Sequence, residues 1–166
     1  MDEIRYITPE DLVEIIDVIQ SFDYISDEEI PRYDDQPEKI DDYFSLIDRL
    51  KNDTYYPDIY AKAAALLLNV NGHYFANGNK RLAVFSMTYF LESNGLTPTE
   101  STKNEFSDLI TEIFGNHKLE DYDNFSPTDF AMYNVALITA QLNQNNIDFD
   151  TGKAQMEQFL RAVYTK

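Results

Sequence analysis

The chain has 166 residues, with 13 Lys and Arg against 30 Asp and Glu, a formal charge of −17. That length suits one domain, residues 1–166, with a sizeable core, and the charge opposes direct binding to nucleic acid, whose phosphates need cations. Cys is absent, which excludes disulfides and thiolate metal sites; with no N-terminal signal pattern and no bilayer-length apolar run, the expectation is a soluble, cytoplasmic protein that does not engage membranes.

Thr8-Pro9-Glu10-Asp11 opens a first helix, with Thr at the N-cap, Pro at the first helical position and acids in the first turn. Leu12, Ile15, Ile16, Ile19 and Phe22 form its apolar stripe. Residues 23–36 read as an acid-rich loop containing Pro31, and a second helix starts near Pro37 with Ile40, Phe44 and Ile47 on one face. The link Thr54-Tyr55-Tyr56-Pro57 leads to a third, where Ile59, Ala63, Leu66, Leu67 and Val70 recur at helical spacing. A fourth, from Leu82 to Leu91, is apolar almost all round and is stopped by Asn94-Gly95. Phe85, Tyr89 and Phe90 are expected in the core.

Phe106, Leu109, Ile110 and Ile113 mark a fifth helix ending near Gly115. Ser126-Pro127-Thr128-Asp129 repeats the cap, proline and acid signature and opens a sixth with Phe130, Val135, Ile138 and Leu142. Met156, Phe159, Leu160 and Val163 mark a seventh. Seven helical patterns with little strand alternation predict an all-α fold, with room for a small β-hairpin within residues 23–57.

Chemistry concentrates in residues 73–81, His-Tyr-Phe-Ala-Asn-Gly-Asn-Lys-Arg, between the third and fourth helices. A loop opening into a helix leaves backbone N–H groups without intrahelical partners and gathers the positive end of the helix dipole, which suits an anion. Gly78 permits close approach of a phosphate, and Lys80 and Arg81 add charge. Asn79 suits a cap and a backbone nest at once. His73 can face the anion as a proton acceptor, and Phe75 is expected to point inward and anchor the loop. Tyr55 and Tyr56 are candidates for the edge of a target groove. His117 has no partner pattern and takes no role.

His73, Phe75, Gly78, Asn79 and Arg81 match the motif His-x-Phe-x-acid-Gly-Asn-x-Arg, so the chain resembles the Fic/Doc (Fido) family. It is most similar to the Doc (death on curing) branch, because Lys80 stands where the Fic branch has a second glycine and residues 56–67 resemble the Doc helix leading into the motif. The resemblance implies a Fic/Doc-type helical bundle with two central buried helices flanking the motif loop and a flap near residues 23–36 that docks the target. It also implies ATP as co-substrate, Mg²⁺ and a protein target hydroxyl. His73 would be the base, and Gly78, Asn79, Lys80 and Arg81 would hold the phosphates.

The Doc branch implies a toxin that transfers a phosphoryl group, with translation elongation factor Tu as the target class and a cognate antitoxin as partner. Two other readings stay open: AMP transfer as in the Fic branch, and a catalytically inactive Fido-fold binding protein. Asn77 replaces the family's Mg²⁺-binding acid, offering an amide oxygen without its charge. Tyr74 replaces the usual proline, which loosens the loop. The nearest fits to the family's inhibitory Ser/Thr-x-x-x-Glu-Gly/Asn helix, Ser101 to Glu105 and Thr88 to Glu92, are followed by Phe106 and Ser93. Control by a separate antitoxin is therefore expected, with the acidic surface either simply solvated or a docking face for a basic partner.

Overall fold

The computed structural model describes residues 3–21, 32–72 and 79–166. Among these are seven α-helices and one two-stranded ladder, so the fold is all-α as the periodicities predict. The helices are α1 (Pro9–Ser21), α2 (Pro37–Leu50), α3 (Ile59–Asn71), α4 (Asn79–Ser93), α5 (Lys103–Phe114), α6 (Pro127–Ala140) and α7 (Phe149–Val163). A 3₁₀ turn, Tyr33–Asp35, precedes α2.

Local signals set most boundaries. Thr8 accepts from the Asp11 N–H while Asp11 accepts from the Thr8 N–H, a reciprocal cap that starts α1. Thr102 with Glu105 and Ser126 with Asp129 form the same box on α5 and α6. The Asp58 carboxylate accepts from the Tyr60 and Ala61 N–H groups at the start of α3. α4 ends where Gly95, at φ +81°, lets its own N–H reach the Glu92 carbonyl and that of Leu96 reach Leu91. This pair of bonds satisfies carbonyls the helix end would otherwise orphan.

α3 is the hub. It packs against α2, α4, α6 and α7, and every residue from Ala61 to Leu68 is buried, so its true environment is apolar on all sides and not along the single expected stripe. Even Lys62 is wholly buried; its ammonium donates to the Leu50 carbonyl at 2.7 Å and to Asp53 at 2.8 Å, closing the α2–α3 corner. α2 turns a different face inward than its sequence suggested. Tyr43, Leu46, Ile47 and Leu50 are buried, while Ile40 and Phe44 are only partly so, because Tyr43 reaches α4 and donates to Ser86 at 2.9 Å. Phe90 is core, whereas Phe85 and Tyr89 are half-buried against it.

The described part of residues 23–57, from 32 onward, contains the 3₁₀ turn and α2 and no strand. Residues 23–31, and with them the rest of the expected hairpin and its acids Asp27, Glu28 and Glu29, lie outside the described residues, as does Phe22. The strands occur elsewhere. β1 (Thr97–Pro98) pairs antiparallel with β2 (Tyr164–Thr165), and the Tyr60 hydroxyl donates to the Tyr164 carbonyl at 2.9 Å. The far end of the chain is thereby tied to the start of α3.

α1 is fixed to the C-terminal end of α4. The Arg5 N–H donates to the Asn94 side chain at 2.8 Å, Asn94 donates back to the Arg5 carbonyl at 2.9 Å, and Tyr89 donates to the buried Asp11 carboxylate. Burial pushes the Asp11 carboxyl up, but hydrogen bonds from Tyr89 and Thr8 and the Arg5 charge outweigh it and hold it below its ordinary value. A depressed carboxylate contributes stability that is present above its unfolded pKa and lost as pH falls through its folded one. Tyr89→Phe should therefore shift the acid-unfolding midpoint to higher pH. An unchanged midpoint in circular-dichroism titrations would show that Tyr89 does not stabilise the Asp11 anion.

Candidate functional site

The site is assembled where α3 stops and α4 starts. α3 ends at Asn71, and its last turn is tethered sideways to α6. The Asn71 amide, 3% exposed, donates to the Ala136 carbonyl at 2.8 Å and to the Thr139 hydroxyl at 3.1 Å. Thr139 in turn donates to the Val135 carbonyl at 2.7 Å. A cavity of about 200 Å³ opens beside this tether, lined by Leu68, Asn71, Gly72, Thr139, Ala140 and Phe149 among others. The side chains named carry no charge.

α4 begins at Asn79, inside the nonapeptide. Asn79 is 7% exposed and thus set into the protein, Lys80 is exposed, and Arg81 is half-buried. These three expected phosphate-binding residues share one helical turn. His73, Tyr74, Phe75, Asn77 and Gly78 lie outside the described residues, so their expected roles as base, anchor, metal ligand and anion cradle stand as sequence readings.

The electrostatics of this turn differ from those of the other described helices. Acids occupy the first turns of α1, α2, α5, α6 and α7, and Asp58 caps α3. The first turn of α4 has no acid and carries two cations. Like charges meet there, since the dipole already makes that end positive, and a bound anion would offset both. Among the described residues no cluster of His, Asp and Glu could hold a metal ion.

Tyr55 and Tyr56 are placed differently from the rest. They precede α3, at the opposite end of that 13-residue helix from Asn71, about 20 Å along its axis. Tyr55 is 72% exposed, and Tyr56 lies against the core with the Lys153 ammonium 5.9 Å from its ring centre. The structure does not bring them beside the first turn of α4.

Tyr33 is a buried tyrosine that sequence reading passed over. It is fully buried in the core cluster. Burial drives its hydroxyl above the ordinary tyrosine range, and the positive charge of Arg81 acts on it in the opposite sense. Nothing in the local sequence around Tyr33 signals this, because the two residues belong to segments far apart in the chain. Asn71 was also missed, although a polar residue closing an apolar helix just before the motif is a visible signal.

A family profile, Fic/DOC family, matches residues 6–91, just over half of the chain, from the residues just before α1 into the last turn of α4. No curated protein and no solved structure gives a match. The profile spans the entire nonapeptide. The chain belongs to the Fic/DOC family.

Proposed function

We propose that the chain is a single Fic/Doc domain over residues 1–166 and a Doc-like toxin that transfers the γ-phosphoryl group of ATP to a hydroxyl of a protein, with elongation factor Tu as the candidate target. The observation carrying this reading is the first turn of α4, without an acid and with Lys80 and Arg81 set at the positive end of a helix. Asn79, Lys80, Arg81 and the Gly78 backbone hold the phosphates. His73 takes the proton as the target oxygen attacks phosphorus, and ADP leaves. Phosphoryl transfer asks the protein mainly for positioning and charge stabilisation, which this set of donors can supply.

Mg²⁺ would arrive with the nucleotide and neutralise phosphate charge. Asn77, at the family's metal-binding place, would offer the ion a neutral amide oxygen in place of a carboxylate. The protein's own cations and helix dipole act on the phosphates beside it. The net charge of −17 repels ATP at long range, so local charge must do the capturing. An antitoxin is the expected regulator in a cytoplasmic setting, with a basic face complementary to the acidic surface.

Lys80 decides between phosphate and AMP transfer. A lysine in place of glycine occupies the approach to the α- and β-phosphates and presents a point charge suited to a terminal phosphate. ATP labelled at either the α- or the γ-phosphate, followed by mass spectrometry of the target, tests this. The wild type should transfer the γ-label, and Lys80→Gly should weaken that transfer and admit some α-label. Transfer of α-label by the wild type, with a ratio unchanged by Lys80→Gly, would overturn the phosphoryl reading in favour of AMP transfer. Nucleotide binding without transfer of either label would instead leave an inactive binding protein, the reading that Asn77 and Tyr74 favour.

A further inference from the structure

The cavity of about 200 Å³ lies at the corner where α3 and α6 end and α7 begins. Its apolar wall is preformed. Leu142 is braced by α7, where Gly152 sits so close that a Cβ on it would come within 2.5 Å of the Leu142 Cδ1, and the Leu142 carbonyl takes the N–H groups of Asn145 and Ile147. Phe149 follows the Asp148 cap of α7 and is still 42% exposed. The polar part of the wall is incomplete. The Asn71 amide gives its N–H groups to the Ala136 carbonyl and the Thr139 hydroxyl, and the Thr139 proton goes on to the Val135 carbonyl. Both partners are therefore acceptors and require the amide nitrogen on that side. The Asn71 Oδ1 is left on the other edge of the amide, buried and with no hydrogen-bond partner among the described residues, a rare condition for a buried oxygen. Gly72, next to it, is exposed and has no side chain, so little covers this end of the cavity.

We propose that this cavity is a binding site for a small, uncharged, single-ring molecule carrying an N–H or O–H donor: the ring lies against Leu68, Leu142 and Phe149, and the donor meets the Asn71 Oδ1. A cavity of about 150 Å³ suffices for a benzene-sized ring, so the volume admits one ring with a small substituent. No lining side chain is charged, and an ion would leave water for a wall with no partner for its charge. That separates the site from the anion-binding end of α4, and the inference does not rest on the nucleotide reading. Asn71 and Gly72 directly precede His73, so the occupant sits against the chain that enters the motif.

Phenol and toluene, which exchange a hydroxyl for a methyl group on the same ring, test both halves of the proposal on the full chain. In a nuclear magnetic resonance titration, phenol should move the side-chain amide signals of Asn71 and the backbone signal of Gly72, and saturate with a Kd of about a millimolar or below. Toluene should bind about tenfold more weakly, because it leaves Oδ1 without a donor. Phe149→Ala removes part of the ring's wall at a partly exposed position, so the fold should persist while phenol affinity falls by about three- to tenfold. Toluene binding as tightly as phenol, phenol shifts that spare Asn71, an unchanged phenol affinity in Phe149→Ala, or no saturable binding in the millimolar range each overturns the proposal. None of these outcomes depends on whether the chain binds ATP.

Discussion

His73→Ala should reduce target modification by about 10²- to 10⁴-fold while leaving the melting temperature near that of the wild type. The expectation follows from the motif: a base that receives the target's proton acts in the transition state and contributes little to packing. The elements on either side are secured without it. α3 is held by its Asp58 cap and by the Asn71 tether to α6, and α4 is stopped by the Gly95 bonds. Single-turnover measurement with labelled ATP is the cleanest check, because it separates chemistry from product release. A folded His73→Ala protein that modifies its target at close to the wild-type rate would remove histidine from the mechanism, whichever group is transferred.

Phe159→Ala should destabilise the whole protein by about 3–5 kcal/mol, the usual cost of deleting a buried phenyl ring. Phe159 is fully buried on α7, its ring centre 6.0 Å from that of Phe114 on α5, and α7 packs directly on the hub helix α3. α5, α6 and α7 lie beyond the residues 6–91 matched by the family profile, so the variant asks whether the second half of the chain belongs to the same cooperative unit. Denaturant unfolding followed by far-ultraviolet circular dichroism and by tyrosine fluorescence should show one coincident transition with a lowered midpoint. Two separated transitions, with the earlier one leaving activity intact, would mean that α5–α7 form an independent unit and would contradict a single domain.

Much of the fold was legible along the chain because its signals are short-range. Capping boxes act over three residues, helical stripes repeat every three or four, and Gly95 and Gly115 mark helix ends through backbone freedom at positive φ. The seven helices and the caps at Thr8 and Ser126 follow from such rules, whereas α4 opens at Asn79, three residues before the expected Leu82, and the Thr102 box on α5 was passed over. The family membership is also a sequence property, carried by five residues within nine positions.

Tertiary structure decided what periodicity cannot rank. The buried face of α2 rotated to include Tyr43 because a hydroxyl partner, Ser86, waited on another helix. Lys62 could be buried only because the α2–α3 corner supplies a carbonyl and a carboxylate at the reach of its side chain. Tyr55 and Tyr56 are close to the motif in sequence terms, yet a rigid helix separates them from α4 by its length. The pairing of Thr97 with Thr165 and the hydrogen bond from Tyr60 to Tyr164 join segments distant along the chain. Local sequence encodes which residues can form a helix and where it must stop; which side chains then meet depends on how helices pack, and that is a property of the whole chain.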